Sequence, residues 1–146
     1  MAPDLSLDDY GFNVTEKAHE LLDRYSQTHS GFGKTPESAP FKTMKEVFMT
    51  AVYLGSKKGR PRPLDGKRIS PFKGTVFGDD EQMYLRGVAV GLTGDPDVIG
   101  DPQRIVRIAE ELANAGIWDL EAALSTSGEG ALWDLADYFT NELSGL

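Results

Sequence analysis

The sequence contains no cysteine, which excludes disulfides, thiolate nucleophiles and zinc or iron–sulfur sites with cysteine ligands. Histidine is nearly as scarce: His19 and His29 are the only two, and neither lies in a recognisable catalytic setting. No stretch approaches the roughly 18 apolar residues of a membrane span. The opening "MAPDLSLDDYGF" has no basic region followed by an apolar run. We therefore expect no signal peptide and a cytoplasmic protein.

Catalytic and metal-binding motifs are also lacking. The 16 glycines include no loop with the spacing of a phosphate-binding P-loop. Two acidic groups, "GDDE" and "GDPDVIGD", do not match the ligand spacing of an EF-hand, and helix capping explains their aspartates. We expect no enzymatic activity, no cofactor and no metal. The least favoured alternative is a metal-dependent nuclease built on Asp79, Asp80, Asp95 and Asp101.

The length and composition favour one globular domain. The chain has 146 residues, of which 40% are hydrophobic, a size and content sufficient for a core. The polar residues 1–12 are interpreted as a flexible tail and residues 13–146 as a single helical domain.

Hydrophobic periodicity predicts an all-α fold, a compact bundle of five or six helices. Asn13, with Glu16 three residues later, has the pattern of a capping box for a first helix ending near Gln27. Thr43 is expected to cap a second helix that Gly55 ends. A third helix is predicted to begin at Asp79 or Asp80, and a one-turn helix at 96–99. A long helix is expected to run from 102 to a stop at Gly116. Two more are predicted at 117–124 and 131–144. Gly87 and Gly91, four apart in "GVAVG", would permit a close helix pair within or between chains, which leaves a homo-oligomer open.

Positive charge is scarce outside one stretch. The net charge is −8, yet "GSKKGRPRPLDGKRISPFKG" at residues 55–74 holds seven of the 15 basic residues against one acid. Its prolines, Pro61 and Pro63, are incompatible with a helix interior and favour an extended path. We expect residues 57–73, hereafter the basic segment, to form a protruding extended loop or short hairpin. Its cations are Lys57, Lys58, Arg60, Arg62, Lys67, Arg68 and Lys73.

Three interpretations of the basic segment remain open. Its cations could contact nucleic-acid phosphates, with Phe72 and Arg68 stacking on bases. They could dock on an acidic partner protein. They could also pair with the acidic C-terminal half of the same chain. Charge alone does not choose among these three.

Several motifs resemble a known family. "PFKTMKEVFMTAVYLG", the basic segment, "LRGVAVGLTGDPDVI" and "RIVRIAEELANAGIWDLEAAL" follow one another over residues 40–124. This order is similar to that of the small Dnd system-associated proteins found beside DNA phosphorothioation genes. The resemblance implies an accessory role in bacterial or archaeal antiviral defence, near DNA or near the large DNA-processing subunits. It supplies no catalytic residue.

Together these observations predict a non-enzymatic accessory factor of a DNA phosphorothioation-linked defence system that contacts DNA through the basic segment. The DNA could be plain or phosphorothioated. The alternative is a protein-binding adaptor, in which the same segment docks on a larger restriction or modification subunit.

Overall fold

A computed structural model describes residues 5–27 and 39–124. These residues form four α-helices, a two-stranded antiparallel sheet and two short 3₁₀ helices at Gly74–Val76 and Pro96–Gly100. The expected all-α bundle of five or six helices is therefore wrong, and the helix predicted at 131–144 lies outside the described residues. In chain order the elements are β1 (Gly11–Thr15), α1 (Glu16–Tyr25), α2 (Met44–Lys58), β2 (Arg68–Lys73), α3 (Asp79–Thr93) and α4 (Pro102–Leu124).

One strand of the sheet lies in the segment expected to form an extended loop or short hairpin, but its partner comes from the start of the chain, where no strand was predicted. β1 pairs with β2, with Phe12 opposite Phe72 and a bulge before Val14. Asn13 is therefore part of a strand instead of a helix cap. The cap of α1 is Thr15, whose hydroxyl accepts a hydrogen bond from the Ala18 backbone N–H at 3.2 Å.

Two glycines expected to end helices lie inside them. α2 continues past Gly55 to Lys58 and ends at Gly59, whose φ of 66° is left-handed. α4 continues through Gly116 without a break, so the segments predicted at 102–116 and 117–124 are one helix. A Cβ on Gly55 would overlap the Leu112 carbonyl, and one on Gly116 would overlap the Ala51 carbonyl. Both glycines allow the backbones of α2 and α4 to touch.

The core lies between the α2–α4 pair and the sheet. Four phenylalanine rings pack where the sheet meets α2, with centroids 4.8 to 6.3 Å apart and mostly edge-to-face. They come from both strands, from α2 and from the residue after the first 3₁₀ helix: Phe12, Phe72, Phe48 and Phe77. The sheet is thereby fixed to the helical layer.

Residues 5–12, expected to belong to a flexible tail, are part of the folded structure. Leu7 and Phe12 are fully buried. The buried Gln82 side chain accepts from the Leu7 backbone N–H at 3.1 Å and donates to the Asp8 carboxylate at 2.8 Å. The Gly74 backbone N–H donates to the Tyr10 carbonyl at 2.9 Å. These bonds hold the N-terminal residues between α3 and the end of β2.

The glycine contact between α2 and α4 makes a testable prediction. Gly116→Ala should lower the free energy of unfolding by about 2–4 kcal/mol, because the added methyl group meets backbone that cannot move aside. Gly91→Ala is the matched control, since Gly91 lies inside α3 with nothing within 4 Å of the added methyl group. There, alanine should stabilise by up to about 1 kcal/mol through helix propensity. Urea unfolding measures both, and equal stabilisation by the two substitutions would show that the helices do not touch at Gly116.

Candidate nucleic-acid interface

The basic segment spans three structural settings. Lys57 and Lys58 lie in the last turn of α2, where positive charge interacts favourably with the helix dipole. Residues 60–67 have no regular secondary structure. Arg68 and Lys73 are the first and last residues of β2. The expected hairpin is absent from the described residues, because β2 pairs with β1 from the start of the chain.

The irregular stretch lies against α4 and does not protrude. The Arg62 backbone N–H donates to the Glu111 carbonyl at 3.0 Å. The buried Asn114 amide donates to the carbonyls of Arg62 and Pro63, both at 3.1 Å. At the far end, the Lys67 carbonyl accepts from the Glu16 backbone N–H at 3.2 Å. The path of the basic segment is thus held by hydrogen bonds to α4 and α1.

All seven cations of the basic segment are exposed. Lys58 forms an ion pair with Asp119 at 2.8 Å. The Lys57 ammonium lies 5.7 Å from the centroid of the Tyr53 ring. The remaining side chains have no ion pair with any acidic residue in the described part of the chain. These are Arg60, Arg62, Lys67, Arg68 and Lys73.

Trp118 of α4 is a platform for two cations. The Arg62 guanidinium and the Lys17 ammonium each lie 5.6 Å from the centroid of its ring system. Such contacts are worth about 0.5–1 kcal/mol at exposed sites. Trp118 is half-buried, and its ring restrains the Arg62 side chain on the surface.

Phe72 lies in a different environment from the cations. Its half-buried ring is 5.5 Å from that of Phe48 and 5.6 Å from that of Phe77. The aromatic core therefore already occupies part of the surface that a stacked base would need.

At Arg68 the basic segment meets two arginines that the sequence did not single out. Arg104 and Arg107 are one turn apart on α4 and share with Arg68 a cleft of about 360 Å³ between the sheet and α4. The cleft is also lined by Tyr10, Asn13, Asp101 and Glu110. Arg104 and Arg107 belong to the acidic C-terminal half, so a count of charge along the chain does not reveal them. In the sequence, the one indication that these two arginines share a surface is their spacing of three residues on a predicted helix.

Glu110 is the buried carboxylate of this cleft. Its Oε2 accepts a hydrogen bond from the Asn13 backbone N–H at 2.6 Å. Burial raises the pKa of Glu110, while the hydrogen bonds from Asn13 and the nearby Arg68 charge act in the opposite direction. The burial cost dominates, so the folded protein holds a proton on Glu110 more tightly than an exposed glutamate would.

The aspartates considered as metal ligands have structural roles. Asp95 accepts from the Asp97 backbone N–H at 3.0 Å, and Asp101 accepts from the Arg104 backbone N–H at 3.2 Å, which confirms both as helix caps. Asp79 and Asp80 lie in the first turn of α3, whose cap is Gly78 and not either aspartate. Residues 5–27 and 39–124 contain no group of three or more histidine or acidic side chains that could hold a metal ion. Within the same residues, no helix combines the length and the apolar character needed to cross a membrane.

The raised pKa of Glu110 predicts a pH-dependent effect of Glu110→Gln. Glutamine keeps an acceptor for the Asn13 N–H and removes the cost of burying charge. Because the folded-state pKa is raised, the contribution of Glu110 to stability is full at acidic pH and is lost as pH rises through that pKa. The variant should therefore gain stability over the wild type as pH increases, with little difference at acidic pH.

Urea unfolding between about pH 4 and 8 measures this gain. Glu111→Gln removes the same charge one residue along the helix and is the control for the loss of one negative charge from α4. A loss of stability in Glu110→Gln that is constant across pH would contradict the assignment.

Comparison with known proteins places the chain in a family. No curated protein and no solved structure matches it. The model of one protein family, described as DNA sulphur modification system-associated protein 4, matches residues 25–140. This range is most of the chain and includes all of residues 40–124, whose motifs carried the resemblance to Dnd-associated proteins. The chain therefore belongs to the family of DNA sulphur modification system-associated protein 4.

Proposed function

We propose that this protein is a non-enzymatic accessory factor of a DNA sulphur modification-linked defence system, and that it contacts the DNA backbone through the basic segment. Membership of the family supports the association with the modification system. The observation that carries the DNA contact is the set of exposed cations without acidic partners among the described residues. They occur in a chain whose net charge is −8.

The fold of the segment suits contact with a phosphate backbone. Lysine and arginine side chains gain most from phosphates when their charge is not already neutralised by a neighbouring carboxylate. The Arg62 backbone N–H donates to the Glu111 carbonyl, and the Asn114 amide donates to the Arg62 and Pro63 carbonyls, so this backbone is held in place before any ligand arrives. Little conformational entropy is then lost on binding, which favours affinity for a given number of contacts. Repulsion between the acidic remainder of the protein and the DNA phosphates would orient the molecule with the basic segment facing the DNA.

The second candidate function is the adaptor, and one further observation favours it. A groove between α2 and α3 is lined by the apolar side chains of Met49, Tyr53 and Tyr84, of which the two tyrosines are 42% and 36% exposed. Grouped exposed aromatic and methionine side chains are typical of protein-binding surfaces. In this alternative the groove and the basic segment would both contact a larger subunit of the system.

Removing three unpaired cations tests the DNA contact. The variant Arg60→Ala/Lys67→Ala/Lys73→Ala changes side chains that no hydrogen bond or ion pair engages in the described structure. If all seven cations of the segment contact phosphates, the logarithm of the association constant for duplex DNA should fall with the logarithm of the salt concentration at a slope of about −6. The triple variant should bind at least about tenfold more weakly at 50 mM salt, with a slope shallower by about 3. Fluorescence anisotropy of labelled duplex at about 50 and 200 mM salt measures both.

A control variant removes the same charge elsewhere, in Arg24→Ala/Lys42→Ala/Lys45→Ala, and circular dichroism verifies that it is folded, because Lys45 pairs with Glu81 at 3.0 Å. Equal weakening by the two triple variants would show that only net charge matters, which contradicts a specific contact through the segment. No binding by the wild type at 50 mM salt would exclude DNA as the direct ligand and favour the adaptor. Plain and phosphorothioated duplexes are titrated in parallel, so that tighter binding to the second identifies recognition of sulfur.

A further inference from the structure

The cleft between the sheet and α4 is the feature that the sequence left unassigned. We infer that this cleft binds one phosphate group of the DNA backbone through the guanidinium groups of Arg68, Arg104 and Arg107. The inference rests on the proposed function, because it assigns a site to the same DNA contact. It adds two residues from outside the basic segment and holds one phosphate of the DNA at a defined position on the protein surface.

Three arginines from two elements converge on the cleft. Arg104 and Arg107 come from adjacent turns of α4, and Arg68 comes from the first position of β2. Neither Arg68 nor Arg107 has a side-chain hydrogen bond or ion pair with any described residue. The Arg104 guanidinium lies 4.0 Å from the Asp95 carboxylate, at the limit of an ion pair, and both side chains are partly exposed. Exposed pairs of this kind are worth little and exchange readily for a phosphate.

The charge balance suits a phosphodiester. The two carboxylates lining the cleft are Asp101 and Glu110. Asp101 already accepts the Arg104 backbone N–H, and the buried Glu110 carboxylate accepts the Asn13 backbone N–H through one oxygen. The three guanidinium groups outnumber these two carboxylates, and the Asp95 carboxylate, which lies 4.0 Å from the Arg104 guanidinium, is not among the residues that line the cleft.

The cleft is also shaped before binding. The hydrogen bond from the Asn13 backbone N–H to the Glu110 carboxylate joins the sheet to α4 at the base of the cleft. A volume of about 360 Å³ lies within the range of small-molecule sites and admits a phosphate group with its sugar. The planar guanidinium fork offers paired donors that match phosphate oxygens, which makes arginine better suited to this role than lysine. Glu110 is a positioning residue in this arrangement and does not itself touch the phosphate.

The cleft continues the basic segment. Arg68 belongs to both, and residues 60–67 run from there along α4 towards Trp118. A DNA strand with one phosphate in the cleft would therefore continue towards the other cations of the basic segment.

The test is the double variant Arg104→Gln/Arg107→Gln, compared with Arg24→Gln/Lys42→Gln, which removes two charges elsewhere. Fluorescence anisotropy of labelled duplex should show binding at least about fivefold weaker in the cleft variant at 50 mM salt, with a salt slope shallower by about 2. The affinity of the control variant should stay within about twofold of the wild type.

In parallel, dithymidine monophosphate is titrated into the ¹⁵N-labelled wild type, and the arginine Nε–H resonances of the three cleft residues should shift together. Circular dichroism melting verifies that both variants are folded.

The outcomes separate this inference from the proposed function. If the Arg60→Ala/Lys67→Ala/Lys73→Ala variant loses affinity and the cleft variant does not, the basic segment binds DNA and the cleft inference is overturned alone. If the wild type binds no duplex, both fail. If dithymidine monophosphate shifts the cleft arginines while duplex does not bind, the cleft takes a free nucleotide, which overturns the inference as a DNA site. Weaker duplex binding in the cleft variant, with joint shifts of the three arginines, supports it.

Discussion

The contact of α2 and α4 at Gly55 and Gly116 is the constraint on which the rest of the structure depends. Because neither position carries a side chain, the two backbones meet directly. Packed against α2 in this way, α4 continues through Gly116 from Pro102 to Leu124. One face of that uninterrupted helix carries Arg107, Glu110 and Asn114 in succession. A break at Gly116 would separate the second half of α4, including Trp118, from the arginines at its start. The candidate interface thus depends on a contact between two glycines that themselves carry no charge.

Buried polar side chains then fix the irregular segments that the helix pair does not hold. Asn114 satisfies two carbonyls of the basic segment, Glu110 satisfies a backbone N–H of β1, and Gln82 holds Leu7 and Asp8 against α3. A buried polar group left without a partner costs about 1–3 kcal/mol, so each of these side chains specifies one path for the chain around it. The path of the basic segment is consequently a property of the core.

Features that depend on neighbouring residues could be predicted from the sequence, whereas features that depend on contacts between distant residues could not. Helical periodicity and the Asp–Pro caps are local, and they located the start of α4 and the 3₁₀ turn before it. A glycine that ends a helix and one that allows helices to touch look alike in a single sequence, so Gly55 and Gly116 were misinterpreted. The β1–β2 pairing joins residues more than 50 positions apart and has no local signal in a strand containing Pro71. For the same reason the basic segment was found by counting charge, whereas Arg104 and Arg107 became part of the site only through tertiary structure.

The charge distribution bears on how such a site would operate. Acidic residues flank the interface, among them Glu111 beneath Arg62 and Asp119 beside Lys58. At physiological salt the Debye length is about 8 Å. These nearby carboxylates therefore weaken the binding of a phosphate, whereas more distant carboxylates are screened. A small patch within a chain of net charge −8 should therefore bind DNA weakly on its own. Attachment to a DNA-bound subunit would raise the effective concentration of the patch by orders of magnitude without any new DNA contact. The two proposed roles are then complementary, because docking through the apolar α2–α3 groove would make a weak phosphate contact effective.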